Sequence, residues 1–238
     1  YYGAQNNKKI HQAVHTSYIL AIVSGILMML FGLFFSYQCL DAIGTPHDIL
    51  NDATLYMQLY FLCMIPGAIY NIGAGILRAV GDSKRPLYYL IVCSIVNVVF
   101  DFIFVVIFHQ GIAGAAIATV IAQSVCAILV TIQLMRTNEV YKLTLSKMKF
   151  HLPVLKKIIM IGAPAGIQST MYSISNIVLQ SHINAFGTQT IASWSVYVKI
   201  DALFWMMIAA IGAAITTFAG QNYGAHLHDR IKKGARTA

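Results

Sequence analysis

Six runs of about twenty or more predominantly apolar residues, at 17–40, 54–77, 87–108, 111–135, 158–186 and 190–218, restrict what this chain can fold into more than any other feature. A helix needs about 20 such residues to cross a hydrocarbon core about 30 Å thick, where every backbone N–H and C=O must be satisfied within the segment itself. Only 10% of the chain is charged, against the roughly 25% usual in a soluble domain. The fold class expected is all-α: a polytopic transmembrane helix bundle with six spans.

The loops supply an orientation, because Lys and Arg collect on the cytoplasmic side. Of the 16 basic residues, all but Lys199 lie before the first run, in 78–85, in 136–157 or after the last run. The alternate loops carry none: 41–53 holds three acids, while 109–111 and 187–189 read as tight turns. Both chain ends are therefore expected on the inner face of a plasma or bacterial inner membrane. The net charge of +8 follows from topology, and its dispersal between spans argues against a nucleic-acid partner.

Cys39, Cys63, Cys93 and Cys126 each stand alone in an apolar run, without metal or disulfide spacing, and read as small buried hydrophobes. His11 and His15 share a helix face at i,i+4, which fits a solvated cytoplasmic face better than a metal site. His182 falls near an outer boundary and reads as interfacial. Pro66 and Pro164 sit within spans and are expected to kink them, as in helices that line cavities. Gly114, Ala118 and Ala122, and likewise Gly212, Thr216 and Gly220, place small residues at four-residue spacing suited to close helix contact.

The most specific chemistry lies in "IVNVVFDFIF". Asp101 stands 15 residues beyond Pro86, which puts it about 22 Å up its helix, where a carboxylate needs a partner or a cavity. Asn97 is one turn away on the same face. If the next helix returns through a turn centred on Gln110, Thr119 comes opposite Asp101 and Gln123 opposite Asn97. Asp101, Asn97, Thr119 and Gln123 are then either a cation- or proton-coupling site, with Na⁺ or H⁺ as the ion and no other cofactor or metal, or interhelical glue. Lys199 and Asp201, about 14 to 17 Å below the outer end of the sixth run, are candidates for cavity lining or for a structural ion pair with a helix outside this sequence.

The opening "YYGAQNNKKIHQAVHTS" and the closing "QNYGAHLHDRIKKGARTA" read as two copies of one phrase. A spacing of 221 residues between Tyr2 and Tyr223 is too long for a solenoid repeat and points to two large related halves. The first residue is Tyr rather than Met, and the expectation is a window on a longer chain. With "GILRAVGDSKRPL", the Asn97-x-x-x-Asp101 spacing, "GIAGAAIATVIAQ" and "IGAPAGIQ", the loop "GQNYGA" makes the sequence resemble the multidrug and toxic compound extrusion family over essentially its whole length.

That resemblance implies helices three to eight of a two-lobe, twelve-helix transporter that exchanges an organic substrate for Na⁺ or H⁺ by alternating access. It divides the chain into 1–134 (the loop after helix 2, then helices 3 to 6), a basic inter-lobe linker 135–157, and 158–238 (helices 7 and 8 and the following loop). It sets the linker lysines at the cytoplasmic surface within reach of anionic lipid headgroups. It also places Asn97, Asp101 and Thr119 on a cation site completed by a helix-one Asp, and puts Tyr172 where another branch carries a coupling acid, which makes Tyr172 a further candidate for cavity lining. The implied partners are a small, cationic or amphipathic organic substrate and membrane lipid, with the full-length protein a monomer. No enzyme is expected. The competing readings are a lipid-linked oligosaccharide flippase, for which Lys199 is the one intramembrane cation available, and an intramembrane aspartyl protease using Asp101 and Asp201.

Overall fold

The computed structural model describes residues 1–237 apart from Pro46, Ala185 and Gly187, and leaves out the side chains of Asn184, Thr188, Gln189, Ile191 and Ala192. Helices α1 (Asn7–Ala42), α2 (His47–Phe61), α3 (Met64–Ala79), α4 (Lys84–Asp101), α5 (Gly111–Arg136), α6 (Leu152–Asn184), α7 (Thr188–Gly224) and α8 (His228–Thr237) follow one another, with no strand among the described residues. A π-helical segment, Phe102–Ile107, continues α4, and a single 3₁₀ turn, Leu145–Lys147, lies before α6. Five segments are long and apolar enough to cross a bilayer: Asn7–Ala42, His47–Ala79, Lys84–Ile107, Gly111–Arg136 and Ser193–Gly224. The other long helix, α6, has the length at 33 residues, but Gln168, Ser169, Thr170, Ser173, Ser175 and Asn176 dilute its apolar run. The turn expected at 187–189 begins on Gly187, outside the described residues, and α7 is under way by Thr188.

Two compact units emerge, one of Asn6–His151 and one of Tyr1–Gln5 with Leu152–Ala238. In the Asn6–His151 unit, α1 packs on α2 and α3, and α5 packs on α2, α3 and α4. The core gathers at the end of this bundle nearest the basic loops. Ile10, Val14 and Tyr18 of α1 meet Tyr70, Ala74 and Leu77 of α3, Cys93 of α4 and Val130 and Leu134 of α5. Tyr18 and Thr131 join hydroxyls across α1 and α5, and the Tyr70 hydroxyl donates to the Pro86 carbonyl at 3.1 Å. The basic stretch 137–151 is largely irregular, yet it buries Tyr141 and Leu143 in the same core, and the Leu143 N–H donates to the Leu134 carbonyl at 2.8 Å. Leu145 and Phe150 of the same stretch stay exposed.

Local chemistry sets the element ends. In "RAVGDSKRP", Gly81 at φ +94° ends α3 with the 6→1 bond from Asp82 N–H to Leu77 C=O, because a left-handed residue at a helix end favours glycine. Asp82, two residues before α4, accepts the Arg85 N–H at 3.2 Å and pairs with the Arg85 guanidinium at 3.2 Å. The acids of 41–53 lie in helices rather than in a loop, Asp41 at the end of α1 and Asp48 and Asp52 in α2, and Asp48 in the first turn of α2 faces the positive end of the helix dipole.

Pro66 does something different from the kink expected. A helix interrupted at Leu62 and Cys63, whose N–H groups turn back to Leu59 and Tyr60, splits the second span into α2 and α3. Proline lacks the N–H that would have paired with the Leu62 carbonyl, so the break falls where the ladder is already open. By placing Pro66 in the first turn of α3, the chain puts it where its missing donor costs least. A Cβ on Gly25 of α1 would lie 2.8 Å from Ile65 Cα, so the bare glycine lets α1 pass directly against the break.

In the other unit, Tyr172 of α6 meets Trp205 of α7 edge-on at 6.1 Å, and Arg230 of α8 lies over the Phe218 ring at 5.9 Å. Residues 1–5 rest against the end of α7. A Cβ on Gly3 would fall on the Gln221 carbonyl, and one on Gly224 would lie 3.0 Å from the Ala4 nitrogen. The two copies of the Tyr-Gly-Ala phrase are therefore in contact. Gly114, Ala118 and Ala122 are buried, as their spacing suggests. Gly212, Thr216 and Gly220 are exposed, and a Cβ at either glycine would meet nothing within 4 Å, so the close contact expected of that trio is not made among the described residues.

Candidate coupling site

Asp101 is the last residue of α4 and the first before the π-helical segment. Such segments carry i→i+5 bonds, here Phe108 N–H to Ile103 C=O at 2.9 Å, and recur at functional sites. Asp101 is half-buried, and its Oδ1 is enclosed with no hydrogen-bond partner among the described residues. That is an expensive state for a carboxylate, relieved only by a proton, a cation or a donor.

One turn below, Asn97 Nδ2 donates to Thr119 Oγ1 across α4 and α5 at 3.5 Å, a long bond, and the Thr119 hydroxyl donates to the Ala115 carbonyl at 2.9 Å. The hairpin register differs from the expected one. Asn97 faces Thr119, Cys93 Sγ donates to the Ala122 carbonyl and Cys126 Sγ to the Tyr89 carbonyl. The midpoint of each pair falls at residue 107 or 108, where 110 was expected. The π-helical segment winds more residues into each turn than an α-helix, so the α4 arm uses extra residues to climb the same height. Thr119 therefore comes opposite Asn97, with Asp101 one turn above, and Gln123 lies a turn below Thr119, level with Cys93.

Thr119 and Gln123 both open onto a cavity of about 390 Å³ at the α2–α3 break, lined also by Ser24, Tyr60, Cys63 and Asn71. The four expected residues thus form a ladder: Gln123 and Thr119 at the cavity wall, Asn97 bonded to Thr119, and Asp101 enclosed above them. Ser24, Tyr60 and Asn71 escaped the sequence reading. The Asn71 amide donates to Gly67 C=O at 2.9 Å, and its place in "IPGAIYNIGAG", five residues past Pro66, is the signal that could have found it.

In the second unit Tyr172 and Lys199 are exposed and Asp201 is half-exposed. No ion pair involves Lys199 or Asp201 among the described residues. His182 is exposed and its Nδ1 bonds the Val178 carbonyl at 2.9 Å.

Comparison with known proteins fixes the family. The family model described as MatE matches residues 1–103 and 164–238, most of the chain. The chain belongs to the MatE family. Its relatives include the probable multidrug resistance protein YoeA of Bacillus subtilis, 28% identical over 99% of this chain and 52% of that protein. Another is the multidrug export protein MepA of Staphylococcus saprophyticus, 20% identical over 93% of this chain and 49% of that protein. A crystal structure of MATE in the bent conformation is 26% identical, covers 97% of this chain and 52% of that chain, and aligns with TM-score 0.88. An outward-facing multidrug resistance MATE family transporter of the MOP superfamily aligns at 0.89 with 24% identity, over 97% of this chain and 52% of that chain. This MatE chain thus spans about half the length of the curated relatives it matches, and it is part of a multi-pass membrane protein.

Proposed function

We propose that the protein carrying this MatE chain is a cation- or proton-coupled antiporter that exports small organic compounds by alternating access. The observation that carries the reading is the enclosed, unpartnered Oδ1 of Asp101, set one turn from the Asn97–Thr119 bond. An oxygen in that state has differential affinity built into it. Any conformation that brings it a proton or Na⁺ is favoured by the ion, and any that strips the ion away is disfavoured, which is what coupling requires. Thr119 links this oxygen's neighbourhood to the cavity wall, so an ion at Asp101 and an organic molecule in the cavity share one hydrogen-bonded edge. The cavity mixes Tyr60, Cys63 and Met28 with amide and hydroxyl groups, a lining suited to an amphipathic, cationic compound.

The Lys and Arg distribution supports a cell membrane protein with both ends of this segment cytoplasmic. The multidrug resistance and multidrug export names of the relatives favour this reading over the flippase and the protease, and over any enzymatic role; a monomer remains the working assembly.

The test is Asp101→Asn in the full-length protein, reconstituted in vesicles and driven by a Na⁺ or a pH gradient in separate runs. Loss of gradient-driven efflux, with insertion and melting unchanged, is the expected result, and whichever gradient supports the wild type names the ion. Undiminished efflux from correctly inserted Asp101→Asn protein removes Asp101 from coupling.

A further inference from the structure

A second cavity, of about 460 Å³, opens on the Asn6–His151 unit away from the Asp101 ladder, and the antiporter reading makes no use of it. Lys8, His11 and His15 of α1, Lys147 of the 3₁₀ turn, and Lys149 and His151 after it line this cavity, with no carboxylate among the described lining residues. We propose that it seats the phosphate headgroup of an anionic lipid.

The site is built by ordered contacts. His15 is 2% exposed, its Nδ1 is 2.7 Å from the His11 carbonyl and its Nε2 lies 3.1 Å from the Thr144 carbonyl and 3.2 Å from the Thr144 nitrogen. One imidazole thereby rivets the 137–151 stretch to α1. Next to it the Thr16 hydroxyl accepts the His151 N–H at 3.3 Å, and His151 Nδ1 bonds the Lys149 carbonyl at 3.0 Å. Behind the wall, Tyr141 and Leu143 are locked in the core. The backbone that presents Lys147 and Lys149 is therefore held against the first turns of α1.

Three lysines crowded round a concavity repel one another, and an anion with several acceptor oxygens removes the repulsion while meeting their donors. The depth selects the source of that anion. His15 stands two residues before the apolar run that begins at residue 17, so the cavity lies at headgroup level, on the side where basic loops meet anionic lipid. Its volume is that of a small-molecule site, ample for a phosphodiester and its glycerol.

The experiment takes the full-length protein, delipidated in detergent, and titrates it with phosphatidylglycerol diluted in phosphatidylcholine nanodiscs, reading bound lipid by native mass spectrometry. Saturable binding preferring phosphatidylglycerol is expected, weakened roughly 100-fold in Lys8→Gln/Lys147→Gln/Lys149→Gln. The matched set Lys84→Gln/Lys142→Gln/Lys232→Gln, equal in charge but outside the cavity, should change it by less than about threefold. Equal weakening in both sets, or no preference over phosphatidylcholine, overturns the site. Competition by inorganic phosphate at the same concentration overturns the lipid as occupant and leaves a soluble anion. Should the triple variant not elute as a single species, Lys147→Glu alone must lose the preference, and unaltered binding by it refutes the proposal.

Discussion

Asp101 and Asn97 stand out in the sequence as candidates because polar side chains among apolar ones carry a desolvation cost that only a partner or a ligand removes. Ser24 and Asn71 carry the same cost in smaller measure, but a hydroxyl or amide can bond its own helix one turn back, as Asn71 does to Gly67. A lone one therefore signals little until the fold shows what it faces. Steric fit is equally silent in sequence. A Cβ on Gly73 would lie 2.7 Å from Val130 Cγ2 in the best-packed part of the core. Gly73→Ala should destabilise the protein by about 1–3 kcal/mol. Gly73→Ala combined with Val130→Ala should cost less than the two singles added together, since the smaller residue vacates the contested space. Thermal unfolding of the four proteins in one detergent measures that coupling, and strict additivity would show that the two positions do not share the space.

At the scale of elements, hydropathy marked where helices cross but not how each is wound. The break at Leu62–Cys63 and the π-helical segment after Asp101 are short departures from the α ladder inside uniformly apolar runs, and apolarity is blind to which carbonyl an N–H chooses. Pro66 gave a hint, yet the outcome was two helices where one bent helix was expected. The starts of α2 and α6 were also missed by about two turns, because α2 opens on His47 and Asp48 and the apolar first turn of α6 is cut off from its long apolar run by Lys156 and Lys157. The broken span leads to a prediction of its own. Pro66→Ala restores an N–H able to reach the Leu62 carbonyl, so α2 and α3 can join through the break. The variant should be at least as stable as the wild type and export more slowly, because the cavity wall at Tyr60 and Cys63 is drawn into the helix. A stable variant with wild-type transport rates would show that the break serves packing alone.

For the whole molecule, the bilayer made the architecture legible: a solvent that accepts only self-satisfied helices leaves few options, and length, apolarity and loop charge then nearly fix the topology. The register between neighbours was not fixed in the same way, since a hairpin can slide by a turn without exposing any polar backbone, and it took the observed α4–α5 contacts to move Thr119 beneath Asp101. Apolar side chains on α6 and α7 stay largely exposed in this chain, and no pattern in the sequence distinguishes such a surface from one facing lipid, because both are greasy.

The meeting of Gly3 with Gln221, and of Gly224 with Ala4, joins a stretch of chain to its own likeness. Such a junction is sterically closed on both flanks: a side chain at Gly3 would strike the Gln221 backbone and one at Gly224 would press on the backbone of Gly3 and Ala4, so bulk added to either partner forces the two stretches apart. Two stretches far apart in sequence thereby hold one another in place through bare backbone.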